Sequence, residues 1–127
     1  MNWLSIEDIY DIHQIIIKRA GTKASVRDFM LLHSASERPK ASYNGLYLYP
    51  TIFLKAAALL YSLCMNHPFT DGNKRTAYSS AHRFLWLNGY HLSATMIEVV
   101  TFMVNVDNQK PEVREISSWL KSHSTQI

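Results

Sequence analysis

The chain has 127 residues and a formal net charge of +3 with its six histidines neutral; 47% of its residues are hydrophobic and 18% charged. That is enough apolar surface for one buried core, which excludes a disordered tail, and four glycines with four prolines exclude collagen-like and low-complexity chains. A single cysteine, Cys64, excludes a disulfide framework or a thiolate zinc site, so a reducing, cytoplasmic setting is expected.

The isoelectric point near 9.1 suggests nucleic acid, but the basic residues are scattered and no face collects them, so no direct nucleic-acid partner is expected. The longest apolar run, Ala56 to Tyr61, is far too short to span a bilayer, and the acidic start Glu7-Asp8 is unlike a secretory signal, so no membrane is expected. With no repeat and no linker-like stretch, residues 1–127 read as one domain.

Taken in order, Ser5 with Asp8 three residues on reads as a helix N-cap, and Ile6, Ile9, Ile12, His13, Ile16 and Ile17 recur at helical spacing up to Gly21. A second helix is expected from near Ser25 to before Pro39, with Val26, Phe29, Met30 and Leu32 apolar. Asn44-Gly45 between alternating Tyr43, Leu46 and Tyr47 predicts a small hairpin or flap over residues 42–49. Pro50 is expected at the first position of a strong helix that ends near Asn66. Another runs from about Asn73 to Leu87, where Asn88-Gly89 closes it, and its nearly continuous apolar pattern makes it central. A fifth helix follows Ser93 to roughly Val104, Asp107 to Lys110 is a polar break, and a last amphipathic helix starts at Pro111. The fold class is all-α: a compact bundle of about six helices with one hairpin flap.

The chemistry gathers between the two central helices, in His67-Pro68-Phe69-Thr70-Asp71-Gly72-Asn73-Lys74-Arg75. A helix N-terminus offers unpaired N–H groups and the positive end of the dipole, which suits phosphate. Gly72 allows close backbone approach, Asn73 caps or donates, and Lys74 and Arg75 add full charges. Asp71 is a hard oxygen ligand for a Mg²⁺ shared with phosphates, and His67 is placed to act as a general base. Phe69 alternates with the polar groups and is expected in the core. The loop is not a Walker A loop, since the first glycine of that motif is missing and Arg75 follows Lys74.

This stretch resembles the signature loop of the Fic/Doc superfamily, H-x-F-x-(D/E)-(A/G)-N-(G/K)-R. The resemblance extends to Arg27-Asp28 with Leu31-Leu32 and Arg38-Pro39, to Tyr49-Pro50-Thr51 before the third helix, and to Leu87-Asn88-Gly89-Tyr90 after the fourth. Fic enzymes proper carry glycine where this chain has Lys74, and a second arginine where it has Tyr78. The Asn-Lys-Arg form resembles the Doc (death-on-curing) branch, the toxin half of toxin–antitoxin pairs.

The resemblance implies an ATP-dependent protein Ser/Thr kinase that halts translation, with elongation factor Tu as the best-known type of target. AMP transfer is the alternative, and a helical nucleic-acid- or protein-binding module with a degenerate loop is the alternative outside enzymes. It implies ATP and Mg²⁺ as cofactors, His67 as base, Asp71 as metal ligand, Gly72 and Asn73 as the anion cradle, and Lys74 and Arg75 on the phosphates. The flap residues Tyr43, Asn44, Gly45, Leu46 and Tyr47 would lie over the loop and pair with an extended target segment. Many Fic proteins block their own site with a helix carrying (S/T)-x-x-x-E-(G/N); this chain has no such segment, so restraint is expected from a small antitoxin in trans. His33, His82, His91 and His123 are expected to be surface or packing residues, His13 a core histidine, and Cys64 buried and inert.

Overall fold

The computed structural model describes residues 1–127 and consists of six α-helices with two small antiparallel strand pairs. Helix α1 (Ile6–Ala20) begins at Ser5, whose hydroxyl accepts the Asp8 N–H while the Asp8 carboxylate accepts the Ser5 N–H, so the expected capping box forms.

Helix α2 (Phe29–Glu37) starts later than expected. Its cap is Asp28, which accepts the Leu31 N–H, and Val26 leaves the helix to bridge Phe69. The helix signal at Ser25 loses because residues 25–28 spend their backbone groups on the loop: the Arg27 and Asp28 N–H groups donate to the Pro68 carbonyl and Thr70 N–H donates to Ser25. A short 3₁₀ turn, Arg38–Lys40, then leads into strands β1 (Ser42–Tyr43) and β2 (Leu46–Tyr47). They form the expected hairpin, with Asn44 and Gly45 both at positive φ (52° and 76°).

Helix α3 (Ile52–Asn66) is capped by Thr51, which accepts the Leu54 N–H, so Pro50 stands just outside it rather than at its first position. Helix α4 (Asn73–Leu87) folds back along α3. Ala56, Ala57 and Ala58 of α3 and Ala77 and Ala81 of α4 are fully buried, which brings the two backbones close. Leu59, Leu60, Leu63, Phe84 and Leu85 fill the space around them, each buried leucine worth roughly 1.5–3 kcal/mol. Helix α1 packs on α4, as the stripe ending at Ile17 requires.

Strand β3 (Tyr90–Leu92) pairs with β4 (Ser124–Gln126), a ladder of three residue pairs that no alternation in the sequence signals. Between them run α5 (Met96–Gln109), which carries a second capping box at Thr95 and Glu98, and α6 (Val113–Ser122). The expected break at Asp107 is helical: α5 continues to Gln109 and ends only at Lys110, which takes a left-handed φ of 48°. Consequently α6 starts at Val113, after Pro111, with Ile116 and Leu120 against α3 and Trp119 stacked between Phe102 and His123.

Candidate active site

Helix α3 ends in a tight reversal. His67 closes it in the left-handed conformation, φ 46° and ψ 55°, a strained backbone for a residue with a Cβ. Arg27 holds that conformation: its Nε donates to the His67 carbonyl at 2.7 Å and its Nη2 to the Asn66 carbonyl at 3.0 Å, which satisfies the last carbonyls of α3 with a cation at the negative end of the dipole.

The loop that follows is fastened from inside. Phe69 is buried and stacks face to face on the His13 ring, with centroids 3.7 Å apart. Asn73 is buried too, with its Oδ1 accepting the Phe69 N–H and its Nδ2 donating to the Phe69 carbonyl, both at 3.0 Å. The Asn73 side chain therefore staples the loop, and its Nδ2 faces His67 Nδ1 at 3.5 Å, the outer limit of a hydrogen bond. His13, fully buried as expected, turns its Nε2 to the Asp71 carbonyl at 2.9 Å. Gly72 sits at φ 81°, and a Cβ there would stand 3.1 Å from Ile17 Cδ1.

What this fastening presents is an open helix end. Ser5, Asp28, Thr51 and Thr95 cap α1, α2, α3 and α5 with side-chain oxygens, but no side chain caps α4. The amides of its first turn stay available to an anion. Around them, His67, Asp71, Gly72, Asn73, Lys74 and Arg75 all line one cavity of about 600 Å³, closed on the other side by Ile16, Ile17 and Ala20 of α1 and by Thr22. Asp71 Oδ1 accepts the Gly72 N–H at 2.8 Å, and no basic side chain lies within 4.0 Å of that carboxylate. A hard oxygen donor without a basic partner, beside open amides, fits a Mg²⁺ carried by phosphates.

One participant escaped the sequence reading. Asp107 of α5 reaches the same place, with Oδ1 4.0 Å from His67 Nε2 and Oδ2 3.5 Å from Lys74 Nζ. A helix taken to stop at Val104 hides this residue; extended by one turn, the buried Met103 and Val106 would have put Asp107 on the inner side of α5. Arg27 and His13 likewise act on the site through the backbone, which residue type alone does not announce.

The flap residues do not line this cavity. Tyr43, Leu46 and Tyr47 are exposed, and the hairpin is moored elsewhere. Tyr47 lies near the Trp3 ring, while the buried Lys55 of α3 donates to the Tyr49 carbonyl and sits 4.1 Å from the Tyr47 ring centroid. Burial pushes the Lys55 ammonium below its ordinary pKa. Burial also pushes the Cys64 thiol up to about 11, with the nearby Asp107 charge adding to it, so Cys64 stays protonated and inert. The remaining histidines are packing or surface groups: His33 near Glu37, His123 near Glu98, and His82 edge-on to His91. No cluster of three or more His, Cys, Asp or Glu side chains is placed to hold a metal, and no helix is long and apolar enough to cross a membrane.

The sequence is similar to known proteins over most of its length. Residues 3–85 match the model of the Fic/DOC family. Toxin Doc of Mycolicibacterium smegmatis is 45% identical over 92 residues, which cover 72% of this chain and 68% of that protein. The family match takes in the loop from His67 to Arg75 and ends at Leu85, inside α4. The chain belongs to the Fic/DOC family, on its Doc branch.

Proposed function

We propose that the chain is a Doc-type toxin that transfers the terminal phosphate of ATP to a Ser or Thr hydroxyl of a protein of the translation machinery, of which elongation factor Tu is the leading example. The observation that carries the reading is the convergence of His67, Asp71, Lys74 and Arg75 on one cavity at the uncapped N-terminus of α4. The similarity to Toxin Doc supports it, as does Lys74 where AMP-transferring relatives are expected to carry glycine.

In this reading His67 takes the target hydroxyl proton on Nε2, the ring nitrogen turned away from Asn73. The hydroxyl oxygen then bonds to phosphorus as the bond to the departing diphosphate breaks. The open amides of α4 and the charges of Lys74 and Arg75 hold the phosphate oxygens and offset the charge that spreads over them. Asp71 would hold Mg²⁺, which neutralises phosphate charge when bound. His13, Asn73 and Arg27 keep the loop in place, and positioning supplies much of the rate in such a transfer. Restraint comes from an antitoxin in trans.

The test uses ATP labelled separately at the α and γ phosphates, incubated with the chain and a cell extract. The expected result is γ label on protein, abolished by His67→Ala and by Asp71→Ala with the folds intact. Label from the α position alone would make the chain an AMP transferase. Growth inhibition that survives His67→Ala would make it a binding module.

A further inference from the structure

Away from the catalytic cavity, a cleft of about 270 Å³ opens where α2, the 3₁₀ turn, α3 and the start of α6 meet. Its polar walls are Ser34, Arg38, Tyr49, Tyr61, Ser62 and Asn66, and no carboxylate lines it. It shares no residue with the catalytic cavity. The volume is below the roughly 300–1,000 Å³ of most small-molecule pockets, so the cleft suits one charged group better than a whole nucleotide.

Arg38 supplies the charge. Its Nε donates to the Tyr49 hydroxyl at 3.0 Å, and no carboxylate lies within 4.0 Å of its guanidinium. Its remaining N–H groups are free to donate, and the Tyr49 hydroxyl, accepting from Arg38, keeps its own proton to give. Ser34, Tyr61 and Ser62 add hydroxyls that no group in the fold engages, unlike Ser36, whose hydroxyl is spent on the His33 carbonyl. Bracing Tyr49 uses one donor of Arg38 and neither serine, so support of the hairpin does not account for the cleft.

The charges around it carry the same sign. Lys55 donates to the Tyr49 carbonyl and Arg27 to the Asn66 carbonyl, so two more cations stand on the backbone of lining residues. Neither has a carboxylate within 4.0 Å. The acids of the flanking elements are engaged elsewhere or lie outside the lining. Asp28 caps α2, and Glu37 faces Lys40 at 3.6 Å and His33 at 3.9 Å. Glu112 faces Arg114 at 3.1 Å, and Glu115 is not a lining residue. A cleft of this composition attracts an anion and has donors to hold its oxygens.

We propose that this cleft is a second anion site, separate from the catalytic cavity, that takes one phosphoryl group, as free phosphate or as a phosphate ester on a side chain. Arg38 binds the group by charge and by its free N–H donors, and the hydroxyls of the cleft complete the shell. The site stands whatever chemistry the catalytic cavity performs.

The test is an NMR titration of the full isotope-labelled chain with inorganic phosphate at about pH 8, where the phosphate is doubly charged. The expected result is that the amides of Ser34, Ser62 and Val113 shift and saturate together, on a curve independent of the Gly72 and Asn73 amides. Arg38→Gln should weaken the cleft curve at least about tenfold and move the Gly72 curve by less than about twofold. Ser62→Ala, which leaves the Arg38–Tyr49 contact in place, should weaken it about three- to fivefold. Tighter binding of phosphoserine than of phosphate assigns the cleft to the ester, and weaker binding assigns it to the free ion. Shifts that never saturate, or that chloride reproduces at equal ionic strength, overturn the site. Affinity unchanged by Ser62→Ala overturns it too, and would leave Arg38 a brace for the hairpin. Silent Gly72 and Asn73 amides beside a saturating cleft would sink the phosphate reading of the catalytic cavity and leave this site standing.

Discussion

Replacing Gly72 by alanine separates two costs that usually arrive together. A left-handed backbone costs an L-residue about 1–2 kcal/mol, of which the stiffer unfolded chain returns about 0.4–1 kcal/mol. Gly45, at φ 76° in the hairpin with nothing within 4 Å of its virtual Cβ, should show that conformational cost alone, about 1 kcal/mol. Gly72 is at nearly the same φ, 81°, but its Cβ would stand 3.1 Å from Ile17 Cδ1 and 3.6 Å from the His13 ring. Ile17 is held in the α1–α4 contact with only 7% exposure, so it must shift within a packed layer, which adds about 1–2 kcal/mol. Gly72→Ala is therefore expected to cost about 2–3 kcal/mol against about 1 kcal/mol for Gly45→Ala. Urea unfolding followed by tryptophan fluorescence measures both. Equal costs for the two substitutions, within about 0.5 kcal/mol, would refute the claim that close approach of α1, and not only the turn, demands glycine at this loop.

Two further substitutions address support and pH. His13→Phe keeps the stack on Phe69 but removes the contact with the Asp71 carbonyl. It also removes a buried Nδ1 that has no partner, so stability should change by less than about 1 kcal/mol while transfer activity falls at least about tenfold; unchanged activity would show that the loop holds itself. Burial, with His91 beside it, pushes His82 below its ordinary value of 6.5. The unfolded chain then takes up that proton first, and stability falls as pH drops through about 6.5 towards the lower folded value. His82→Gln should flatten the dependence of the melting temperature on pH between about 7 and 5, and an unaltered slope would remove His82 as its source.

Much of this molecule is legible where local chemistry and tertiary need agree. Ser5 with Asp8 and Asn44-Gly45 produce the cap and the turn that their types predict. The sequence reading fails where a long-range partner outbids a local signal. Ser25 and Val26 suit a helix start, yet their backbone is needed by the loop 45 residues away. Asp107 to Gln109 are polar enough for a break, but they continue a helix that the buried Met103 and Val106 already anchor. The candidate site divides the same way. His67 to Arg75 are contiguous, so one motif exposes them together. Asp107 arrives from another helix, and the Asn73 amide looks inward because the Phe69 backbone has no other partner.

The turn that ends α4 has a consequence for what can be attached to this chain. Asn2 exchanges hydrogen bonds with Asn88 and donates to the Leu87 carbonyl, and the Ile127 N–H donates to the Gly89 carbonyl. Asn2 and Ile127 therefore converge on one three-residue turn, at the opposite pole of α4 from the loop. Fifteen residues of helix put that pole about 22 Å from the open amides. A reporter, surface tether or further domain joined at either end begins a full helix length from the cavity, and a pull between the two ends loads this turn and the β3–β4 ladder first. The cavity, at the far end of the lever, stays mechanically isolated from whatever the chain is tied to.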